Sequence, residues 1–142
     1  MLNQTAIYAL RAAGYLAQQK DTAPVLSAHI ASKMSIPRNF LSKIINRLEQ
    51  GGLVNTVRGR RGGVSLARPA NRIRLYDVVT LFMRIDDFSN CFLGMHACDG
   101  SCGLHARWNI ISEQFEKLLN DTTVDQIYGP VAAHGIMAGH SR

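Results

Sequence analysis

The sequence predicts a mainly α-helical fold with one small β-hairpin: a winged helix-turn-helix unit followed by a long C-terminal helix. Two observations predict the winged unit: three N-terminal segments with apolar residues at helical spacing, and a glycine- and arginine-rich stretch between two short β-type runs. A later apolar period, beginning at Leu104, predicts the long helix. With 142 residues, 46% of them hydrophobic, the chain is long enough for one core and too short for two ordinary domains.

The first two helices are predicted from apolar spacing and from the breaks between them. Residues 3–19 carry one apolar face, formed by Ala6, Ile7, Leu10, Ala13 and Leu16. Residues 20–24 include a proline and read as a break. Ser27 is expected to cap the second helix, which runs to Met34, and Pro37 fits the first turn of a third helix.

The third helix is predicted to end near Gln50, and its two faces differ in chemistry. Its apolar face is Leu41, Ile44, Ile45 and Leu48. Its outward face is basic and amide-rich without an acid, and consists of Arg38, Asn39, Ser42, Lys43, Asn46 and Arg47. A helix enters the major groove of DNA, where Asn and Arg pair with base edges. We therefore expect these six residues to bind DNA.

A hairpin with a basic tip is predicted next, over strands 53–58 and 64–67. Its arginines, Arg58, Arg60 and Arg61, are expected to contact phosphates or the minor groove. Glycines in the tip let its backbone approach the DNA without side-chain clashes. Each piece alone could be an ordinary αα-hairpin or β-turn, but their order is the winged helix-turn-helix pattern.

Charge is divided unevenly along the chain. Residues 1–75 hold 12 Lys and Arg against two acids, a net charge of +10, whereas residues 76–142 hold four against eight, a net charge of −4. A basic first half indicates a polyanion-binding module, here double-stranded DNA. No apolar run approaches the roughly 18 residues of a membrane span, and the N-terminus lacks a signal-peptide layout. We expect a cytoplasmic protein with no membrane partner.

The C-terminal half is predicted to contain a fourth helix, over residues 75–83, packed under the wing. Residues 84–103 show no helical period and hold all three cysteines. The long helix then carries a seam of apolar residues at alternating steps of four and three, namely Leu104, Trp108, Ile111, Phe115 and Leu118. This seam could pack on its own domain, but a homodimer interface is favoured because two-fold-symmetric operators require a dimer.

Four segments are therefore expected. They are a DNA-binding domain over 1–83, a cysteine loop over 84–103, a dimerisation helix with a short following helix over 104–128, and a mobile tail over 129–142.

The cysteines have the spacing of metal ligands. Cys91, Cys98 and Cys102 lie within 12 residues, and His105 follows three positions after the last. Clustered thiols in a reducing compartment more often bind metal than form disulfides. Three thiolates and one imidazole complete a four-ligand shell for an iron-sulfur cluster or for zinc.

Other assignments remain open for this loop. His96 or Asp99 could supply the fourth ligand in place of His105, and the thiols could simply stay reduced without a metal. The loop lacks the paired CxxC turns that are usual for structural zinc.

Several motifs follow the pattern of one bacterial family. They are Tyr8-Ala9-Leu10-Arg11-Ala12, Ile36-Pro37 with Phe40-Leu41, Gly52-Leu53-Val54, the wing stretch Val57 to Leu66, and Cys102-Gly103-Leu104-His105 with Trp108. From Ile7 to about Tyr128 the chain resembles the Rrf-type winged-helix repressors, the family that includes the iron-sulfur cluster regulator IscR, the nitric-oxide sensor NsrR and the rhizobial iron regulator RirA.

The resemblance implies a cluster-dependent repressor. The wing and third helix would hold DNA, the cysteines and His105 would hold the cluster, and cluster-bound and cluster-free forms would bind operators differently. A Cys-x2-His pattern before a Trp-bearing helix favours [2Fe-2S] over [4Fe-4S]. Ile7 stands where nitric-oxide-sensing members can carry an acidic ligand, and the cysteine loop is shorter than is usual for the family.

Two other classes of protein compete with this interpretation. One is a metal-free regulator of the same fold, controlled by a protein partner or by thiol oxidation. The other is an enzyme with a cysteine nucleophile. Because the sequence offers no positioned base beyond His96 and His105 and no oxyanion-forming motif, no enzymatic activity is expected.

Overall fold

A computed structural model of the chain describes residues 2–21, 23–86, 91–95 and 99–128. It confirms a mainly helical fold with one antiparallel hairpin. The described helices are α1 (Gln4–Ala17), α2 (Ser27–Met34), α3 (Arg38–Gln50), α4 (Leu75–Val79) and α5 (His105–Asp121), the strands are β1 (Val54–Val57) and β2 (Gly63–Leu66), and short 3-10 turns cover Ala70–Arg72 and Val124–Gln126.

The first three helices pack into the main core. The side chain of Asn3 caps α1 by accepting the N–H of Ala6 at 2.8 Å. Alanines on the buried face of α1 allow α2 and α3 to approach closely, and Ile30 and Leu41 are almost completely buried. The predicted cap of α2 was wrong: the helix begins at Ser27 itself, with no side-chain cap.

The hairpin matches its predicted strands to within one residue at each end. Val54 pairs with Leu66 and Val57 with Gly63. A further residue, Val25, joins the free edge of β2, where its N–H and C=O each bond to Val64 at 2.8 Å. The base of the wing is therefore held to the segment that leads into α2.

The fourth helix is shorter than predicted. It ends at Val79, and the chain continues to Met83 through turns in which Leu81 and Phe82 donate to carbonyls three residues back. It packs against α1 and α5, and the expectation that it lies under the wing was wrong. Its Val78 enters the main core and Val79 a second, smaller one.

The long helix α5 is attached to the rest chiefly by its C-terminal half. Leu119 is buried in the second core, with Phe115 packed against it. Beyond the helix, Leu75 donates to Thr122 and Val124 donates to Ile73, both at 2.9 Å. Among the described helices, none is long and apolar enough to cross a membrane.

Candidate nucleic-acid interface and cysteine loop

The outward face of α3 is presented as the sequence predicted. All six of its polar residues are exposed, and the four apolar residues of the opposite face are buried. Two of these six side chains donate hydrogen bonds to backbone carbonyls. Ser42 donates from Oγ to the carbonyl of Arg38 at 3.1 Å, and Arg47 donates from Nε to the carbonyl of Leu81 at 3.1 Å.

The wing lies beside this face and its three arginines are exposed. Between α3 and the wing runs a shallow cleft of about 300 Å³, lined by Ser27, Ser42, Thr56 and the glycine backbone of the tip. The tip closes tightly, because a Cβ at position 62 would lie 2.1 Å from the carbonyl oxygen of Val57. Only glycine fits there. One acid borders the cleft: Glu49 accepts a hydrogen bond from the hydroxyl of Thr56.

An aromatic group borders α3 on the side away from the cleft. The ring of Phe40 is 47% exposed and packs at a tilt against the ring of Tyr8 of α1, with centroids 6.2 Å apart. The guanidinium of Arg11 lies 5.6 Å from the Tyr8 ring. The apolar spacing of α3 did not predict this aromatic group, because Phe40 lies at the boundary between the polar and apolar faces of the helix.

The described part of the cysteine loop reaches the start of α5. Cys91 and Cys102 are half-buried, whereas Cys98 and His96 lie outside the described residues. The carbonyl of Cys102 accepts the N–H of His105 at 3.1 Å, so these two residues are one turn apart.

The imidazole of His105 is half-buried and lies between the loop and α5. Its Nε2 is 3.2 Å from Nδ2 of Asn109, one helical turn further on. Asp99, the alternative ligand, accepts the backbone N–H of Ser101 at 2.9 Å. Hydrogen bonds from Ser101, together with the nearby His105, hold the pKa of this exposed carboxyl below its usual value.

An aromatic contact joins the loop to α5. The ring of Phe92 packs on Trp108 with centroids 5.1 Å apart. The neighbouring Leu93 and Met95 are exposed. Among the residues that the structure describes, no three potential ligands come together as a metal site. The assignment of Cys91, Cys98, Cys102 and His105 therefore stays a prediction.

The residues of the predicted seam of α5 do not all face the same way. Leu104, Ile111 and Leu118 are exposed, whereas Trp108 is half-buried and Phe115 packs on the second core of its own domain. Ile110, which the seam did not include, is also exposed. The result is an outer apolar face on α5, made of Leu104, Ile110, Ile111 and Leu118.

Comparisons with known proteins agree with this architecture. A family model named Rrf2, described as an iron-dependent transcriptional regulator, matches residues 2–130. A putative HTH-type transcriptional regulator of Aquifex aeolicus is 34% identical over 131 residues, covering 89% of this chain and 90% of its own. The HTH-type transcriptional regulator IscR of Klebsiella pneumoniae is 32% identical over 122 residues, covering 84% of this chain and 74% of its own.

A solved structure shows the same fold. CymR, the global cysteine regulator of B. subtilis, superposes with a TM-score of 0.73 at 20% identity, covering 89% of this chain and 95% of its own. The sequence relatives are transcriptional regulators and not enzymes, and regulators of this kind bind DNA. The chain belongs to the Rrf2 family of transcriptional regulators.

Proposed function

We propose that this regulator is a cytoplasmic homodimeric repressor that binds a two-fold-symmetric operator and responds to an iron-sulfur cluster in its cysteine loop. One observation carries the proposal. The loop is attached, through the Phe92–Trp108 contact and the Cys102–His105 turn, to the first turns of the helix that bears an outer apolar face. A change in the loop would therefore act on the element that pairs the two subunits.

The proposed DNA contacts lie on the two elements that flank the cleft, α3 and the wing. From α3, the base-reading or backbone-contacting residues are Arg38, Asn39, Ser42, Lys43 and Asn46. From the wing, Arg58, Arg60 and Arg61 would contact phosphates or enter the minor groove. Since α3 and the wing are joined through buried residues such as Ile45 and Val64, the two sets would meet DNA as one rigid surface.

The donor chemistry of the loop fits an iron-sulfur cluster. Cys91, Cys102 and His105 are all half-buried, and Cys102 and His105 lie at the start of α5. Thiolates with one histidine are a known donor set for such clusters. With Cys98 they would hold the cluster, which supplies a centre sensitive to iron supply, redox state or nitric oxide. The resemblance to IscR favours the [2Fe-2S] form.

The outer face of α5 supports a dimer. Leu104, Ile111 and Leu118 recur at intervals of seven residues and are all exposed. Large apolar side chains in such a line on a helix are typical of a seam that meets another helix. A second copy related by a two-fold axis would cover this face and present two copies of α3 to successive turns of DNA.

Anaerobic purification tests the proposal directly. We expect a brown or red protein with visible absorbance and with iron and sulfide bound in equal amounts. A colourless protein that takes up neither after reconstitution would contradict the cluster.

A metal-free regulator of the same fold is the second candidate. In that case DNA affinity would respond to thiol oxidation or to a protein partner. CymR, a cysteine regulator, has the same fold as this chain and supports this candidate. The visible absorption spectrum of the anaerobically purified protein separates the two candidates.

A further inference from the structure

The turn that follows α4 has backbone carbonyls that need donors. A backbone carbonyl outside a helix or strand needs a donor from elsewhere in the chain or from water. No backbone N–H of the described residues donates to the carbonyls of Leu81 or Phe82. Two side chains do so: Asn3, which caps α1, donates from Nδ2 to the carbonyl of Phe82, and Arg47 of α3 donates from Nε to the carbonyl of Leu81, both at 3.1 Å.

The end of α3 also packs tightly on this turn. Gly51 follows α3 directly, and a Cβ there would lie only 2.6 Å from Cδ1 of Leu81. The side chain of Leu81 also packs against the main core. Leu81 thus contacts the end of α3 through both its carbonyl and its side chain.

We propose that Arg47 is a positioning residue, which fixes the last turn of α3 on the turn after α4 instead of reading DNA. The proposal rests on the proposed DNA-reading face of α3. With its C-terminal end fixed, α3 would present Asn39, Lys43 and Asn46 at a defined angle.

Two substitutions separate this role from a phosphate contact. In Arg47→Gln, the amide nitrogen of glutamine stands the same number of bonds from Cα as Nε of arginine, so the donor to Leu81 is kept and the charge is lost. Arg47→Met has similar length and supplies neither donor nor charge. The probe is a DNA duplex selected from a random pool by the unmodified protein, with a scrambled duplex beside it, measured at several salt concentrations.

We expect Arg47→Gln to bind the selected duplex as the unmodified protein does. Arg47→Met should bind it about two- to tenfold more weakly, the range that corresponds to one net hydrogen bond. The slope of log affinity against log salt should stay unchanged in both variants. In DNA-free NMR spectra, the amide nitrogen of Phe82, which shares a peptide unit with the Leu81 carbonyl, should shift in Arg47→Met and not in Arg47→Gln.

Other results would overturn the proposal. If both variants shallow the salt slope by about 0.9, as Arg60→Gln is expected to do, Arg47 contacts a phosphate. If both behave as the unmodified protein, the contact with Leu81 does not position α3. Failure of the unmodified protein to enrich any duplex would instead contradict the DNA-reading role proposed for α3, which is a separate outcome.

Discussion

The two halves of this regulator differ in how completely each is packed. In the winged half, large residues such as Ile30, Leu41 and Leu48 are almost fully buried within the chain itself. In α5, by contrast, only Ser112 and Leu119 are buried over 17 residues. The winged half is also strongly basic, while the sequence from residue 76 onward is acidic. The first half buries most of its large apolar residues within one copy, whereas α5 exposes the apolar face on which the proposed dimer depends.

The largest expected effect lies in the cysteine loop. Replacing Cys102 or Cys91 with Ser would remove a proposed thiolate ligand, and we expect visible absorbance and bound iron to fall to background while the winged half stays folded. Iron analysis and circular dichroism measure the two outcomes. Ser101→Ala, next to Cys102, is the control and should keep its iron. Full iron content in the cysteine variants would remove those thiols from the ligand set.

Two adjacent leucines on α5 provide a matched pair. Leu119 is 1% exposed and Leu118 is 52% exposed. We expect Leu119→Ala to lower the free energy of unfolding by about 2–5 kcal/mol through a cavity in the second core. Leu118→Asp should leave the fold intact and shift the protein from dimer to monomer, because it places a charge on the outer apolar face.

Denaturation at fixed protein concentration and analytical ultracentrifugation measure these two effects. A Leu118→Asp variant that remains dimeric would show that another surface pairs the subunits.

The wing is expected to act through charge. Replacing both Arg60 and Arg61 with alanine should shallow the slope of log affinity against log salt by about 1.8, because each phosphate contact contributes about 0.9. Binding isotherms on selected DNA at several salt concentrations measure it. Lys117→Ala, an exposed cation on α5, should leave the slope unchanged. Equal slopes in all three proteins would exclude the wing tip from the contact surface.

The smallest expected effect concerns the ion pair before α4, where Arg74 contacts Asp77 at 2.9 Å. Partial burial raises the pKa of Asp77, but the side-chain and backbone hydrogen bonds from Arg74, with the charges of Arg74 and Arg68, hold it below its usual value overall. The pair therefore stabilises the fold above about pH 4, the unfolded value, and this stabilisation is lost as pH falls through the lower folded value.

Because the Arg74 side chain is well exposed, solvent screening keeps the contribution of the pair to stability small. We expect Asp77→Asn to be slightly less stable at neutral pH and to lose less stability on acidification. Urea denaturation between pH 2 and pH 7, with the unmodified protein beside it, would show whether the two curves converge at low pH, as they should.

Local patterns predicted much of this fold, and long-range contacts account for what they missed. The apolar period of α3 correctly separated Leu41 and Leu48 from the polar face, because burial on a helix repeats with its turn. The seam of α5 could not show that Phe115 packs inward, since the same spacing serves a partner helix or the chain's own core. The bond from Arg47 to Leu81 spans 34 residues and leaves no trace in spacing.

The bonded pair Val25 and Val64 also has a consequence for folding order. These residues are 39 positions apart in sequence, yet each donates to the other. The bridge at the base of the wing can therefore close only when the segment before α2 has reached β2, and non-local closure of this kind slows folding. In native-state hydrogen exchange, the amides of Val25 and Val64 should open together with the helix-turn-helix, while the wing tip exchanges freely. The bridge between Val25 and Val64 would then break only when the helix-turn-helix itself unfolds. A state in which α3 is folded but the wing is detached would therefore be scarcely populated.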